Sequence, residues 1–230
     1  MSYFTENSGP EFAIEARDIV RTFHVGDRDI EVLKGVSLSV KPGEKTFLCG
    51  PSGAGKTSLL YTLAGLERPT SGQVIIEGIS VYEERRRVQA KIRNAKLGYV
   101  FQNFLLLPEL TAVENVALPS LIGGRQAKDK ATELLSRVGL DHRLNHLPNE
   151  LSGGEQQRVA IARSMVNDPR ILFADEPTGN LDPKTGAEVM ELLYNLIEED
   201  DRTMLVVTHD TKLAQTGDRL VILKDGVVAQ

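Results

Sequence analysis

The stretch TFLCGPSGAGKTSLL, Thr46 to Leu60, decides how the rest of the chain is read. Thr46 to Cys49 form a short apolar run suited to a strand, and Gly50-Pro51-Ser52-Gly53-Ala54-Gly55-Lys56-Thr57 fits G-x-x-x-x-G-K-[ST] at every fixed position. The pattern has a physical reason. Glycines let backbone N–H groups converge on an anion, and the helix beginning near Ser58 adds the positive end of its dipole. Lys56 is then placed to pair with β- and γ-phosphates, while Thr57 offers a hydroxyl to Mg²⁺. An ordinary glycine turn before a helix is the alternative, and it would not need the Lys-Thr pair.

Working outward, three more apolar runs end in the same manner. LGYVF stops at Gln102, ILFA at Asp175-Glu176, and MLVVT at His209. Continuous apolar runs of this length suit strands of a parallel sheet, buried on both faces. In such sheets ligands sit beyond the carboxyl ends of the strands, where these polar residues fall. Asp175 is the expected metal partner of Thr57. Glu176 is the expected carboxylate for polarising an attacking water, a role that favours hydrolysis over transfer. SLLYTLAGL, ATELLSRVGL, EQQRVAIARSMV and AEVMELLYNLIEE read as helices between the strands. Residues 12–48 read as strands, and RLVIL-KDG-VVAQ reads as a closing hairpin that turns at Asp225-Gly226.

LSGGEQQ, Leu151 to Gln157, poses a separate question, because Gly153-Gly154 opens a helix far from the first glycine loop. Ser152 and Glu155 form a capping box, S-x-x-E, and a cap alone accounts for a helix start. A cap does not need two glycines. Uncovered N–H groups at a helix N-terminus suit a second anion. With one nucleotide loop in the chain, the simplest source of that anion is a second copy of the protein.

Composition bounds the alternatives. The chain has 230 residues, 41% of them hydrophobic, enough for one substantial core. Lys+Arg number 27 against 32 Asp+Glu, a formal charge of −5, which argues against nucleic-acid binding. A single Cys49 excludes an internal disulfide and suits a reducing compartment. No apolar run reaches membrane-spanning length, and MSYFTENSGPE lacks the features of a secretory signal. A cytoplasmic or peripheral protein without direct membrane insertion is expected, with residues 1–11 as a mobile tail.

From about residue 12 onward the chain resembles the nucleotide-binding subunits of ATP-binding-cassette transporters. The phosphate loop, Gln102, LSGGEQQ, Asp175-Glu176, Asn180-Leu181-Asp182 and His209 carry the resemblance. It implies an α/β P-loop NTPase fold with a mainly parallel core sheet. It also implies an N-terminal antiparallel β subdomain and a helical subdomain, about 103–165, carrying LSGGEQQ, all within one domain over 12–230. ATP and Mg²⁺ are the implied cofactors, held by Gly50 to Ser58, with Thr57, Gln102 and Asp175 at the metal. Lys56, Glu176 and His209 are the implied catalytic residues. Two copies are implied to sandwich ATP between one chain's phosphate loop and the other's Ser152, Gly153 and Gly154, with Asp182 at the interface.

Phe23 stands where the family commonly has a Tyr that stacks on adenine; a core role for it is the alternative. The resemblance further implies two integral membrane permease subunits and a place on the cytoplasmic side of the inner membrane. FLLLPELTAVENVALPSLIGG and GLDHRLNHLPNELSGGE are similar to the branch of lipoprotein-releasing transporters and macrolide-type exporters, which also serves peptide export and cell division. Leu105-Leu106-Leu107-Pro108 is then a dock for a membrane partner's helix, or packs on its own core. The basic residues Arg85 to Arg87, Lys91, Arg93 and Lys96 read as a solvated helix face, with proximity to anionic lipid as the second reading.

Overall fold

The computed structural model describes residues 10–229. The tail expected through residue 11 therefore lies, up to residue 9, outside the described residues. The first half of the chain runs β1 (Ile14–Val25), β2 (Arg28–Val40), β3 (Lys45–Cys49), α1 (Lys56–Leu63), β4 (Ser71–Ile76), β5 (Ile79–Ser80), α2 (Arg86–Lys96) and β6 (Leu97–Val100). It continues with α3 (Ala112–Ile122), α4 (Lys128–Arg137), α5 (Gly153–Met165), β7 (Ile171–Asp175), α6 (Pro183–Glu198), β8 (Thr203–Val207), α7 (Thr211–Ala214), β9 (Arg219–Lys224) and β10 (Val227–Ala229).

These strands form two sheets. The core sheet has six strands in the order β10-β9-β3-β8-β7-β6, and every neighbouring pair is parallel except the closing hairpin β9–β10. The second sheet, β2-β1-β4-β5, is antiparallel throughout. Every residue of β7 and of β8 is buried, the pattern of strands covered on both faces.

The alternation of side chains along these strands divides the interior in two. Phe47, Leu172 and Met204 face a core shared with α3 to α6, whereas Leu48, Phe173 and Leu205 face a core shared with α1 and the antiparallel sheet. Each central strand is thus a wall between two hydrophobic clusters. Its loop at the carboxyl end is fixed from both sides.

The helices that cover one face, α3, α4 and α5, pack on one another, and α5 also lies against β6. Their starts obey local chemistry. Thr111 and Ser152 each accept from the backbone N–H of the residue three ahead, Glu114 and Glu155, whose carboxylates return to the cap backbone. Asp182 caps α6 in the same spirit, accepting from Lys184 and Thr185. Strands β4 and β5 and the short helix α7 are additions to the elements read from sequence.

Candidate active site

The loop after β3 folds tightly, and two of its glycines, Gly50 and Gly55, meet other backbone. A Cβ on Gly50 would lie 2.0 Å from the carbonyl of Leu223 in β9, so no other residue fits. Gly55, with φ of 96°, caps α1 in the left-handed region and lies against Val32 of β2. Ser52 and Gly53 are exposed, Ala54 is buried, and Ser58 is half-buried in the first turn of α1. Lys56 is buried, and its Nζ donates to the carbonyls of Gly50 at 2.9 Å and Pro51 at 3.0 Å. The ammonium is therefore held inside the curve of the loop.

The next strands bring the acids and the imidazole to the same edge. Since β3, β8, β7 and β6 are successive neighbours, their carboxyl ends place Lys56, His209, Asp175-Glu176 and Gln102 side by side. Thr57 Oγ1 donates to Asp175 Oδ1 at 3.2 Å. Burial pushes the Asp175 carboxyl above its ordinary range, while hydrogen bonds from Tyr61 and Thr57 pull it back. Burial, and after it the proximity of Asp175, pushes the Tyr61 phenol up to about 12. Glu176 has a positive φ of 43°, and its N–H donates to Val207 at the end of β8. That strained backbone lifts its carboxylate toward His209, whose Nδ1 lies 3.1 Å from Oε2. The His209 ring is 68% exposed, so one edge faces solvent.

Gln102 is held close by. Asn180 donates to the Gln102 carbonyl at 3.0 Å and to Asn103 Oδ1 at 2.9 Å. A Cβ on Gly179 would come 2.9 Å from Gln102 Nε2 and 3.2 Å from Glu176 Oε2, so both side chains crowd that glycine. Further along the loop, Phe104 and Leu105 both have positive φ, 58° and 49°. Arg163 of α5 donates to their two carbonyls, at 2.7 and 2.5 Å. Tyr61 and Arg163 were not marked by any sequence pattern, because both act through groups that only the fold brings near.

Ser152 is exposed, and Gly153 and Gly154 open α5. Here the structure adds a second reason for the glycine pair. A Cβ on Gly154 would sit 2.5 Å from Thr185 Cγ2, whereas one on Gly153 would meet Leu181 at an ordinary 3.4 Å. Gly154 is thus also needed for packing against α6. Asp182 is exposed, and hydrogen bonds from the Thr185 side chain and from backbone N–H groups lower its pKa. Phe23 is half-buried in β1, opposite Ile30 of β2, with the Arg21 guanidinium 4.4 Å above its ring. Cys49 is buried at the end of β3, and burial pushes its thiol up, so it is not an activated nucleophile.

The donor set fits a hard divalent cation. A carboxylate and a hydroxyl at 3.2 Å, beside a loop built for phosphate, match a metal held by one or two protein oxygens plus phosphate oxygens. Among the described residues no cluster of three or more His, Cys, Asp or Glu could hold a metal ion.

A glycine-rich loop between a buried strand and a helix, with a buried aspartate two strands away, defines a nucleoside-triphosphate-binding protein of the P-loop class. The family profile described as ABC transporter matches residues 33–179. The chain belongs to this family, as an ATP-binding ATPase subunit. It is 46% identical over 218 residues to the lipoprotein-releasing system ATP-binding protein LolD of Cytophaga hutchinsonii, covering 94% of this chain and 98% of that one. It is 48% identical over 220 residues to the macrolide export ATP-binding/permease protein MacB of Syntrophobacter fumaroxidans, covering 94% of this chain but spanning only 31% of that protein. Among solved structures, the ATP-binding cassette MJ0796, a dimer in a post-hydrolysis state bound to ADP and Pi, superposes with a TM-score of 0.88 at 44% identity. That match covers 94% of this chain and 97% of the other.

Proposed function

We propose that this chain is the ATP-hydrolysing motor of a membrane complex that releases lipoproteins from the inner membrane, working as a homodimer beneath two permease subunits. The observation that carries the catalytic part is the row of Lys56, Asp175, Glu176, His209 and Gln102 along one sheet edge. Gly50 to Ser58 cradle the phosphates, and Lys56 neutralises their charge. Thr57, Asp175 and Gln102 would hold Mg²⁺, which when bound screens the β- and γ-phosphate oxygens. Glu176 accepts the proton of the attacking water, or fixes its direction. With a proton on Nδ1, His209 donates to Glu176 across 3.1 Å and keeps the carboxylate aimed. Phe23 offers a face for the base.

Ser152, Gly153 and Gly154 serve the nucleotide of the partner copy, as an isologous interface allows. The dimeric state of the MJ0796 cassette supports that arrangement. The permease dock is read from the loop after Gln102. Leu106 packs on the core, while Leu105 and Leu107 are 55% and 43% exposed. Leu105 and Ile122, the latter 75% exposed, border a groove between α2, α3 and the Gln102 loop that suits an amphipathic helix. No helix among the described residues is long and apolar enough to cross a membrane, so attachment through such a groove is the peripheral route.

A macrolide or peptide exporter, or a cell-division complex that moves no cargo, is the second reading. The MacB match supports the first of these. Glu176→Gln should lower turnover by roughly 10²–10⁴ with ATP binding retained. That variant, tagged in its native host and extracted with ATP in mild detergent, tests the assignment. Two different membrane subunits co-purifying support lipoprotein release, one supports the second reading, and soluble partners alone overturn both.

A further inference from the structure

The loop that carries Gln102 is held by an arginine that the proposed chemistry does not use. Phe104 and Leu105 occupy the left-handed region in succession, an unfavourable conformation for residues with a side chain. One guanidinium satisfies the carbonyls of both. Its planar fork matches two adjacent acceptors, which a lysine could not span in the same way. Among the described residues Arg163 enters no ion pair with a carboxylate, and burial holds its pKa below the ordinary value. A half-buried cation satisfied by loop carbonyls is costly unless the loop keeps this shape.

Arg163 also stands ten residues beyond Gly153 on the same helix, a rise of about 15 Å. The helix is a rigid rod between Ser152 at its start and the Gln102 loop near its end. We propose that Arg163 is a positioning residue that fixes Gln102 relative to the LSGGEQQ helix, so that a chain's own nucleotide site and its partner's respond together. This rests on the reading above, in which Gln102 attends the chain's own ATP and Ser152 attends the partner's. A shift of α5 on engaging the partner's phosphate pulls the two carbonyls with it, and Gln102 moves too. Asn180 holds the other end of the loop, so the motion is delivered to a short segment, Gln102 to Leu105.

The experiment compares Arg163→Gln and Arg163→Lys with the unaltered chain in steady-state ATPase assays across ATP concentration, with melting temperature measured alongside. Arg163→Gln should lower kcat by roughly 10–100-fold, the effect of a displaced catalytic group, with KM for ATP little changed. The Hill coefficient for ATP should fall toward one, and Arg163→Lys should recover part of both. An unchanged kcat and Hill coefficient in folded Arg163→Gln would overturn the proposal. So would a fall in melting temperature alone. If Arg163→Gln does not fold, Arg163→Lys decides: a kcat lowered severalfold at normal stability supports the proposal, and an unaltered kcat and Hill coefficient overturn it. ATP-driven dimerisation of Glu176→Gln, monitored by light scattering, isolates the underlying reading. If that variant stays monomeric, the shared-site arrangement fails and takes the proposal with it. If it dimerises, the Arg163 result stands on its own.

Discussion

Two helices of this protein begin with the same device. At Thr111 and at Ser152 a hydroxyl accepts from a backbone N–H three residues on, and a glutamate returns the bond. Beyond that box the two diverge. Thr111 precedes Ala112 and Val113, both buried, and the helix start is committed to the core. Ser152 precedes Gly153 and Gly154, and the start stays open on one side while pressing α6 on the other. The box says only that a helix begins. The two residues after the cap decide whether the free N–H groups are enclosed by packing or left open.

Alanine at each cap gives the largest contrast. Ser152→Ala and Thr111→Ala should each lose about 1 kcal/mol of stability. For a chain of this size that is roughly 2–4 °C in melting temperature. Only Ser152→Ala should also lower ATPase activity, by roughly 10–100-fold if its hydroxyl bonds a charged phosphate. Equal activity losses in the two variants would break the distinction.

A smaller effect separates the two glycines. Gly154→Ala should destabilise by about 1–3 kcal/mol through collision with Thr185, and Thr185→Ala should rescue it. Gly153→Ala has room and should leave the melting temperature almost unmoved. If Gly153→Ala nonetheless loses activity, the added methyl occupies space that a ligand approaching this helix start needs; if it keeps full activity, that space is not used.

The smallest effect is a shared pH dependence. Hydrogen bonds from Thr111 lower the Glu114 pKa, and those from Ser152 lower that of Glu155, below the ordinary 4.5. Groups with depressed folded-state values contribute stability that is complete above 4.5 and lost as pH falls through the folded values. Melting temperature measured from neutral to acid pH should show this loss, and Thr111→Ala should remove part of it. A Thr111→Ala curve parallel to the unaltered one would mean the carboxylate bond does not matter.

The same contrast shows what a sequence reveals about itself. The ends of β3, β6, β7 and β8 were legible because uninterrupted apolar runs stop at polar residues with recognisable chemistry. The capping box at Ser152 was legible because its partner Glu155 lies three residues on. Gly154 was half legible: its position was clear, but its neighbour Thr185 is brought there only by folding. Arg163 and Tyr61 were not legible, since one binds main-chain carbonyls 58 and 59 residues away and the other leans on Asp175 from a distant element. Strand β4 is only weakly marked in the sequence, by the three apolar residues Val74-Ile75-Ile76 between Gly72 and Gly78.

The carbonyl of Val32 approaches both Gly55 of the phosphate loop and Gly226 of the last hairpin, and Gly50 rests on Leu223. The loop that grips phosphate is therefore walled by residues made near the start of synthesis and by residues made near its end. On the ribosome, strand β3 and its loop emerge long before that second wall exists. The phosphate loop cannot reach its finished packing until Leu223 has cleared the exit tunnel.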